Sequence, residues 1–273
     1  MNAPPSREPV ELAAELPAGA LARVRWWRYL YRSPMLAWHL LIHLPVALLL
    51  ISLPGSTRPG SAGTSLSERA IGWWSRGLLR VFGMRTRRIG EPHATAALLV
   101  ANHISWLDIE LIHSHRAVHF VAKSEIGGWP LIGWLASRAG TIYHRRGSTQ
   151  SLQSVSAVMA ERLRAGHPVG VFPEGGTGDG SHVRVFHARI FQTALDAAVP
   201  IQPVALRYRV AGQFSPFVAF GDGESFMGNF LRLLGGPPIE AETHFLPLVA
   251  DAGEGRRRLA ETCRQRIAEI VQG

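Results

Sequence analysis

The stretch Ala96–Glu110, AALLVANHISWLDIE, passes from a run with buried-strand character into a segment that opens like a helix, and its reading decides the fold. AALLVA is too short for an ordinary helix and has no polar face, so it reads as a strand buried on both sides. Asn102 is a favoured helix N-cap, which puts His103 at the turn between strand and helix. The alternation continues downstream. VHFVA, GTIYH, PVGVFP and IQPVALRY read as further short strands, and GGWPLIGWLASRAG and SLQSVSAVMAERLRAG as helices between them, the second stopping at Gly166. Strands alternating with helices predict an α/β domain with a mostly parallel or mixed sheet covered by helices. Function in such sheets gathers at the carboxyl ends of strands, where His103 falls. The chain closes with RRRLAETCRQRIAEIVQ, a helix with Leu259, Cys263, Ile267 and Ile270 on one stripe, so Cys263 is expected to fill core.

With 273 residues and 47% hydrophobic content, the chain has ample material for a core. It has 29 Lys and Arg against 20 Asp and Glu, a net charge of +9, and Lys123 is the only lysine. Guanidinium suits phosphate and carboxylate partners, although a genomic bias toward arginine produces the same count. Zinc-finger spacing, a glycine-rich phosphate fingerprint and basic blocks interleaved with stacking aromatics are all missing, which sets nucleic acid aside. A lone cysteine, Cys263, excludes an intrachain disulfide and fits a reducing compartment or a cytosolic membrane face. His113, His115 and His119 cluster without a familiar zinc spacing, so no metal is expected.

Residues 1–20 are rich in Pro, Ala and Glu and read as a loose tail. From Ser33 to Thr57 there is no Asp, Glu, Lys or Arg, and the apolar length reaches the roughly 20 helical residues needed to cross a hydrocarbon core. The pairs Trp26-Trp27 and Trp73-Trp74 flank this segment together with arginines, the composition of a bilayer interface. His39, His43 and Pro45 within it favour a kinked or re-entrant insertion over a clean span, while a buried core helix and a signal peptide are the competing readings. Next comes SLSERAIGWWSRGLLRVFGMRTRR, where Ile71, Trp74, Leu78, Leu79 and Phe82 form an amphipathic stripe opposite Arg69, Arg76 and Arg80. Such a helix lies on an anionic membrane or packs on the domain. The expected division is therefore a tail over 1–20, a membrane-anchoring helical region over 21–90 and a catalytic domain over 91–273.

His103 and Asp108 are candidates for a catalytic couple. Five residues of regular helix subtend about 500°, leaving the side chains roughly 140° apart, so direct contact requires His103 to lie outside the helix. Asp108 would then fix the imidazole tautomer and stabilise the imidazolium formed when the other nitrogen takes a proton. A His-x4-Asp pair taken alone also fits two ordinary polar residues at a capped helix.

NHISWLD resembles the NHxxxxD signature of the lysophospholipid and glycerol-3-phosphate acyltransferase family. FVAKSEIGGWPLIGWLA, GTIYHRRG, VFPEGG and VPIQPVAL resemble that family's later blocks in order, and the resemblance spans Ala96 to Tyr208. It implies transfer of a fatty acyl group from an acyl-CoA or acyl carrier protein thioester to a lysolipid hydroxyl, with His103 as general base, Asp108 as its orienter and no cofactor. Lys123 becomes a candidate oxyanion or phosphate donor, against a solvated pair with Glu125, and Arg146 falls on the family arginine that grips the acceptor's anionic head. Glu174 and Gly175 belong to F-P-E-G, and Gly176 and Thr177 continue that substrate-binding loop. Here the family usually reads E-G-T-R-S, whereas this chain reads Glu174-Gly-Gly-Thr-Gly-Asp-Gly180, similar to the branch that acylates lyso-ornithine lipid. Arg184 is the candidate to replace the missing arginine, which would restore a phosphate acceptor. The product is thus phosphatidic acid or ornithine lipid, with a thioesterase or lipid hydrolase, in which His103 activates water, as the other class. The implied partners are membrane lipids and acyl-CoA or acyl carrier protein, at the cytoplasmic face of the inner membrane.

Overall fold

A computed structural model describes residues 23–58, 64–123, 127–128, 140–144, 149–249 and 255–273. The expected tail over 1–20 and most of GGWPLIGWLASRAG lie outside the described residues. The strands are β1 (Met84–Ile89), β2 (Leu98–Ala101), β3 (His119–Lys123), β4 (Ile142–His144), β5 (Val169–Val171), β6 (Ile201–Val210), β7 (Gln213–Phe214) and β8 (Ile239–Phe245). They form one sheet in the order β1-β8-β6-β2-β5-β3-β4, with β7 on β6. Every pairing along this order is parallel except β6–β8, so the predicted α/β class holds in its mixed form.

The helices are α1 (Trp26–Ser52), α2 (Leu66–Val81), α3 (Leu107–His113), α4 (Thr149–Arg164), α5 (Gln192–Ala197), α6 (Phe226–Leu234) and α7 (Gly255–Gln272). Two apolar layers sandwich the sheet. One joins Leu78, Leu79 and Phe82 of the α2 region to Leu107, Leu111 and Leu206. The other joins Val100, Met159 and Val171 to Leu259, Cys263 and Ile267 of α7. Cys263 is fully buried and its thiol is pushed up to about 12 by desolvation, in keeping with core filling. Gly166, at φ +89°, follows α4 as its expected stop.

The N-terminal segment forms one helix, α1, despite Pro34 and Pro45. The chain takes up the missing Pro45 N–H with a π turn over His39–His43, where Leu44 N–H reaches back to the His39 carbonyl. By length and composition α1 is long enough to cross a membrane, and only 17% of its most apolar stretch is buried. Arg28 and Arg32 do not face outward with the tryptophans. They are buried against the end of α6, where Arg32 donates to the carbonyls of Leu234 and Gly236 at 3.0 Å each and Arg28 to that of Gly235 at 3.2 Å. These are carbonyls that a helix C-terminus leaves unpaired.

The amphipathic stripe of α2 turns toward the domain: Leu78, Leu79 and Phe82 are buried, with Ile71 and Trp74 half-buried. β1 pairs with β8 along its full length. The boundary expected at residue 90 thus has two core elements on its N-terminal side.

Candidate active site

Three chain segments converge at the carboxyl ends of the central strands: the turn after β2, the loop after β5 and the distal half of β6. β2 ends at Ala101, and Asn102 does not cap a helix as its residue type predicts. Its side-chain amide instead replaces a rung of the sheet, donating to the Leu206 carbonyl at 3.0 Å and accepting from the Leu206 N–H at 2.8 Å. This fixes where the chain leaves the sheet. Helix α3 starts later, at Leu107 with Trp106 as its cap, so His103 lies outside helical geometry, the condition that direct contact with Asp108 imposes.

His103 Nδ1 sits 2.8 Å from Asp108 Oδ2. The same oxygen accepts from the Ile104 N–H at 2.6 Å and the Ser105 N–H at 2.9 Å, while Oδ1 accepts from the Tyr208 hydroxyl at 2.6 Å. A fully buried carboxylate is costly unless several donors compensate it, and Asp108 has four. Asp108 thereby builds the turn as well as holding the imidazole. An ionised carboxylate can only accept, so Nδ1 carries the proton and Nε2 keeps its lone pair. Burial beside Asp108 drives the Tyr208 hydroxyl well above its ordinary value, so it stays a neutral donor. The imidazole face is covered by Phe172, the rings stacking at 4.0 Å and 12°.

Glu174 is buried, and its Oε1 accepts from the His103 N–H at 3.1 Å. Its Oε2 accepts from Arg184 Nε at 3.0 Å, and Arg184 Nη2 also donates to the Gly176 carbonyl. Arg184 thus faces the loop interior rather than open solvent alone. Desolvation raises the Glu174 carboxyl above its ordinary value, opposed by Arg184 and the His103 amide. Gly175 adopts φ +74°, where a Cβ would come within 3.0 Å of His187 Nε2, so the turn requires glycine. Thr177 is half-buried on the same loop.

The structure therefore brings together His103, Asp108, Glu174, Gly176 and Arg184. Lys123 ends β3 with its side chain outside the described residues, and Arg146 lies outside them as well. His113, from the histidine cluster, pairs through Nε2 with the Val118 carbonyl at 2.8 Å. Sequence reading missed Tyr208, Phe172 and Asn102. The alternation of β6 carried a signal for Tyr208, which shares a face with Leu206 and Val204, but only the register of β6 on β2 brings that face to Asp108.

Among the described residues His103 Nε2 has no hydrogen-bond partner, and a histidine so placed, at the open end of an α/β sheet beside a glycine-bearing loop, can take a proton from a hydroxyl. A family model described as Acyltransferase matches residues 86–207. A lyso-ornithine lipid O-acyltransferase of Pseudomonas aeruginosa is 37% identical over 79% of this chain and 83% of its own length, and one of Brucella abortus is 32% identical over 75% and 82%. A 1-acyl-sn-glycerol-3-phosphate acyltransferase of Neisseria meningitidis is 36% identical over 52% of this chain and 56% of its own. The chain belongs to the lysophospholipid and 1-acylglycerol-3-phosphate acyltransferase family and is an acyltransferase of lysolipids. The crystal structure of the 1-acyl-sn-glycerophosphate acyltransferase PlsC from Thermotoga maritima shares the fold, with a TM-score of 0.64 and 18% identity over 90% of this chain and 95% of that one.

Proposed function

We propose that this enzyme transfers a fatty acyl group from acyl-CoA or acyl carrier protein to the hydroxyl of lyso-ornithine lipid, with His103 as general base. The observation that carries the chemistry is the 2.8 Å contact between His103 Nδ1 and Asp108, which leaves Nε2 as the acceptor nitrogen. Nε2 takes the proton as the lysolipid oxygen attacks the thioester carbonyl. The tetrahedral intermediate collapses with cleavage of the C–S bond, and the departing thiolate takes the proton back from the imidazolium. Asp108 stabilises that imidazolium, and Tyr208 holds Asp108.

The acceptor assignment is supported by Thr177, which stands where the family resemblance expects the glycerol-phosphate arginine, and by the two relatives named for lyso-ornithine lipid. Arg184 serves in this reading as a positioning residue that keeps Glu174 on the His103 amide. Lys123 is assigned to the oxyanion and Arg146 to the acceptor carboxylate on the resemblance alone. The exposed apolar side of α1 supports attachment to the membrane that holds the acceptor, at its cytoplasmic face.

The deciding experiment is acyl transfer by purified protein from labelled acyl-CoA and acyl carrier protein, offered lyso-ornithine lipid and lysophosphatidic acid in parallel, with His103→Ala as control. Labelled ornithine lipid is expected. Labelled phosphatidic acid alone overturns the acceptor assignment, and free fatty acid without acylated lipid overturns transfer in favour of hydrolysis.

A further inference from the structure

We infer that Asp179 is the counter-ion for a cationic group on the acceptor, so that the Gly178–Gly180 loop forms an ammonium subsite beside His103. The inference rests on the lyso-ornithine reading, because the ornithine side chain ends in an alkylammonium.

The loop is fastened to the catalytic turn on both sides of Asp179. Before it, the Gly178 N–H donates to the His103 carbonyl at 2.7 Å. After it, Gly180 adopts φ +86° and is pressed against Ile104, whose Cδ1 would lie 2.9 Å from an added Cβ. Asp179 is thus held one peptide unit from a residue that touches the His103 backbone, and its side chain is 55% exposed. Its Oδ1 accepts from the Ser181 N–H at 2.9 Å and the Ser181 hydroxyl at 2.7 Å. Those bonds hold the carboxyl below its ordinary value, so it is charged at neutral pH. Among the described residues no other side chain bonds this carboxylate closer than His182.

The charge balance decides what the loop attracts. The Asp108 carboxylate is enclosed by four donors, and Glu174 is matched by Arg184. Asp179 has no Arg or Lys partner among the described residues, only His182 with Nδ1 at 3.8 Å. A phosphate placed there meets a fixed negative charge, and an ammonium meets its complement. The competing role, a carboxylate that merely closes its own turn on Ser181, needs only the accepting Oδ1.

Asp179→Asn separates the two, since the amide oxygen still accepts from Ser181 while the charge is gone. Initial rates are measured on the full-length protein in mixed micelles, with lyso-ornithine lipid and with the same lipid acetylated on its side-chain amine. We expect Asp179→Asn to raise KM for lyso-ornithine lipid about five- to tenfold, more than it lowers kcat, with the penalty shrinking as salt is added. The acetylated lipid should show a raised KM with the wild-type enzyme and no further penalty from Asp179→Asn. An unchanged KM for lyso-ornithine lipid overturns the subsite, and so does an equal penalty on both acceptors, which marks a turn-closing role. A wild-type enzyme inactive on lyso-ornithine lipid yet active on lysophosphatidic acid removes the acceptor reading itself, and the subsite with it.

Discussion

The turn from His103 to Asp108 and the helix α1 treat their surfaces in opposite ways. In the turn, polar groups with a chemical task are closed off by partners inside the chain: four donors converge on the Asp108 carboxylate. On α1 a broad apolar side is turned away from the domain: Trp26, Leu30, Leu41 and Leu49 are 73%, 66%, 72% and 63% exposed. Its buried groups include the guanidiniums of Arg28 and Arg32, which satisfy the carbonyls that end α6, together with His39, Leu44 and Ala47. The helix thus docks through its arginines and a narrow strip that includes Leu44 and Ala47, and keeps most of its greasy surface outward, the reverse of an ordinary surface helix. A rigid internal network fixes an atom's position, whereas an unpaired apolar face fixes which environment the domain must meet.

Removing the base at the centre of the network should have the largest effect. His103→Ala is expected to lower kcat about 10²- to 10⁴-fold in acyl transfer, while calorimetry shows only the modest stability loss, about 1.5–3 kcal/mol, of one missing donor to Asp108. A midpoint drop as severe as the rate loss would mean that the imidazole is a structural group. Arg32→Met keeps the stem but leaves the α6 carbonyls unpaired in a buried place, a cost of about 1–3 kcal/mol in denaturant unfolding. Stability unchanged by that substitution would show that α1 is not docked through its arginines. Tyr208→Phe removes one of four donors to Asp108, so about 1.5–3 kcal/mol of stability and a share of kcat should be lost together.

A smaller effect depends on pH. The Glu224 carboxyl is held down to about 2, chiefly by hydrogen bonds from Arg232, in a cluster where Asn229 joins it to Trp106. A depressed carboxyl contributes stability that is fully present above its ordinary value of 4.5 and lost as pH falls through about 2. Glu224→Gln should therefore melt below the wild type at pH 7, with the two converging between pH 4.5 and 2; a constant gap in melts across that range contradicts the assignment. The smallest effect on stability belongs to the exposed apolar side of α1. Leu30→Ser, Leu41→Ser and Leu49→Ser should each change folding free energy by no more than about 0.5 kcal/mol, yet together release the protein from vesicles in co-sedimentation. Full retention on vesicles would remove the membrane role of this face.

The sequence already distinguished α1 from α2 by composition, but not their fates. Both carry tryptophan and arginine, and both were open to the membrane reading. The stripe of α2 is buried because β1, which follows it, pairs with β8 from the far end of the chain. That pairing spans more than 150 residues, and local periodicity does not encode it. By local composition Arg28 and Arg32 are no more than flanking positive charge, for the same reason: their partners lie about 200 positions away.

By itself, the sequence determined what depends on neighbours along the chain: short apolar strands alternating with helices, the stop at Gly166, the apolar N-terminal helix, and a His103–Asp108 spacing that permits contact once His103 lies outside the helix. Tertiary structure decided what depends on register. Sheet order put the turn after β2 between the Glu174 loop and the end of β6, so that Tyr208, about a hundred residues from Asp108, completes its hydrogen bonds. It also aimed Arg184 at Glu174 and left Asp179 facing solvent, because the direction of a side chain on a loop is set by the backbone contacts of its neighbours, here Gly178 on His103 and Gly180 on Ile104.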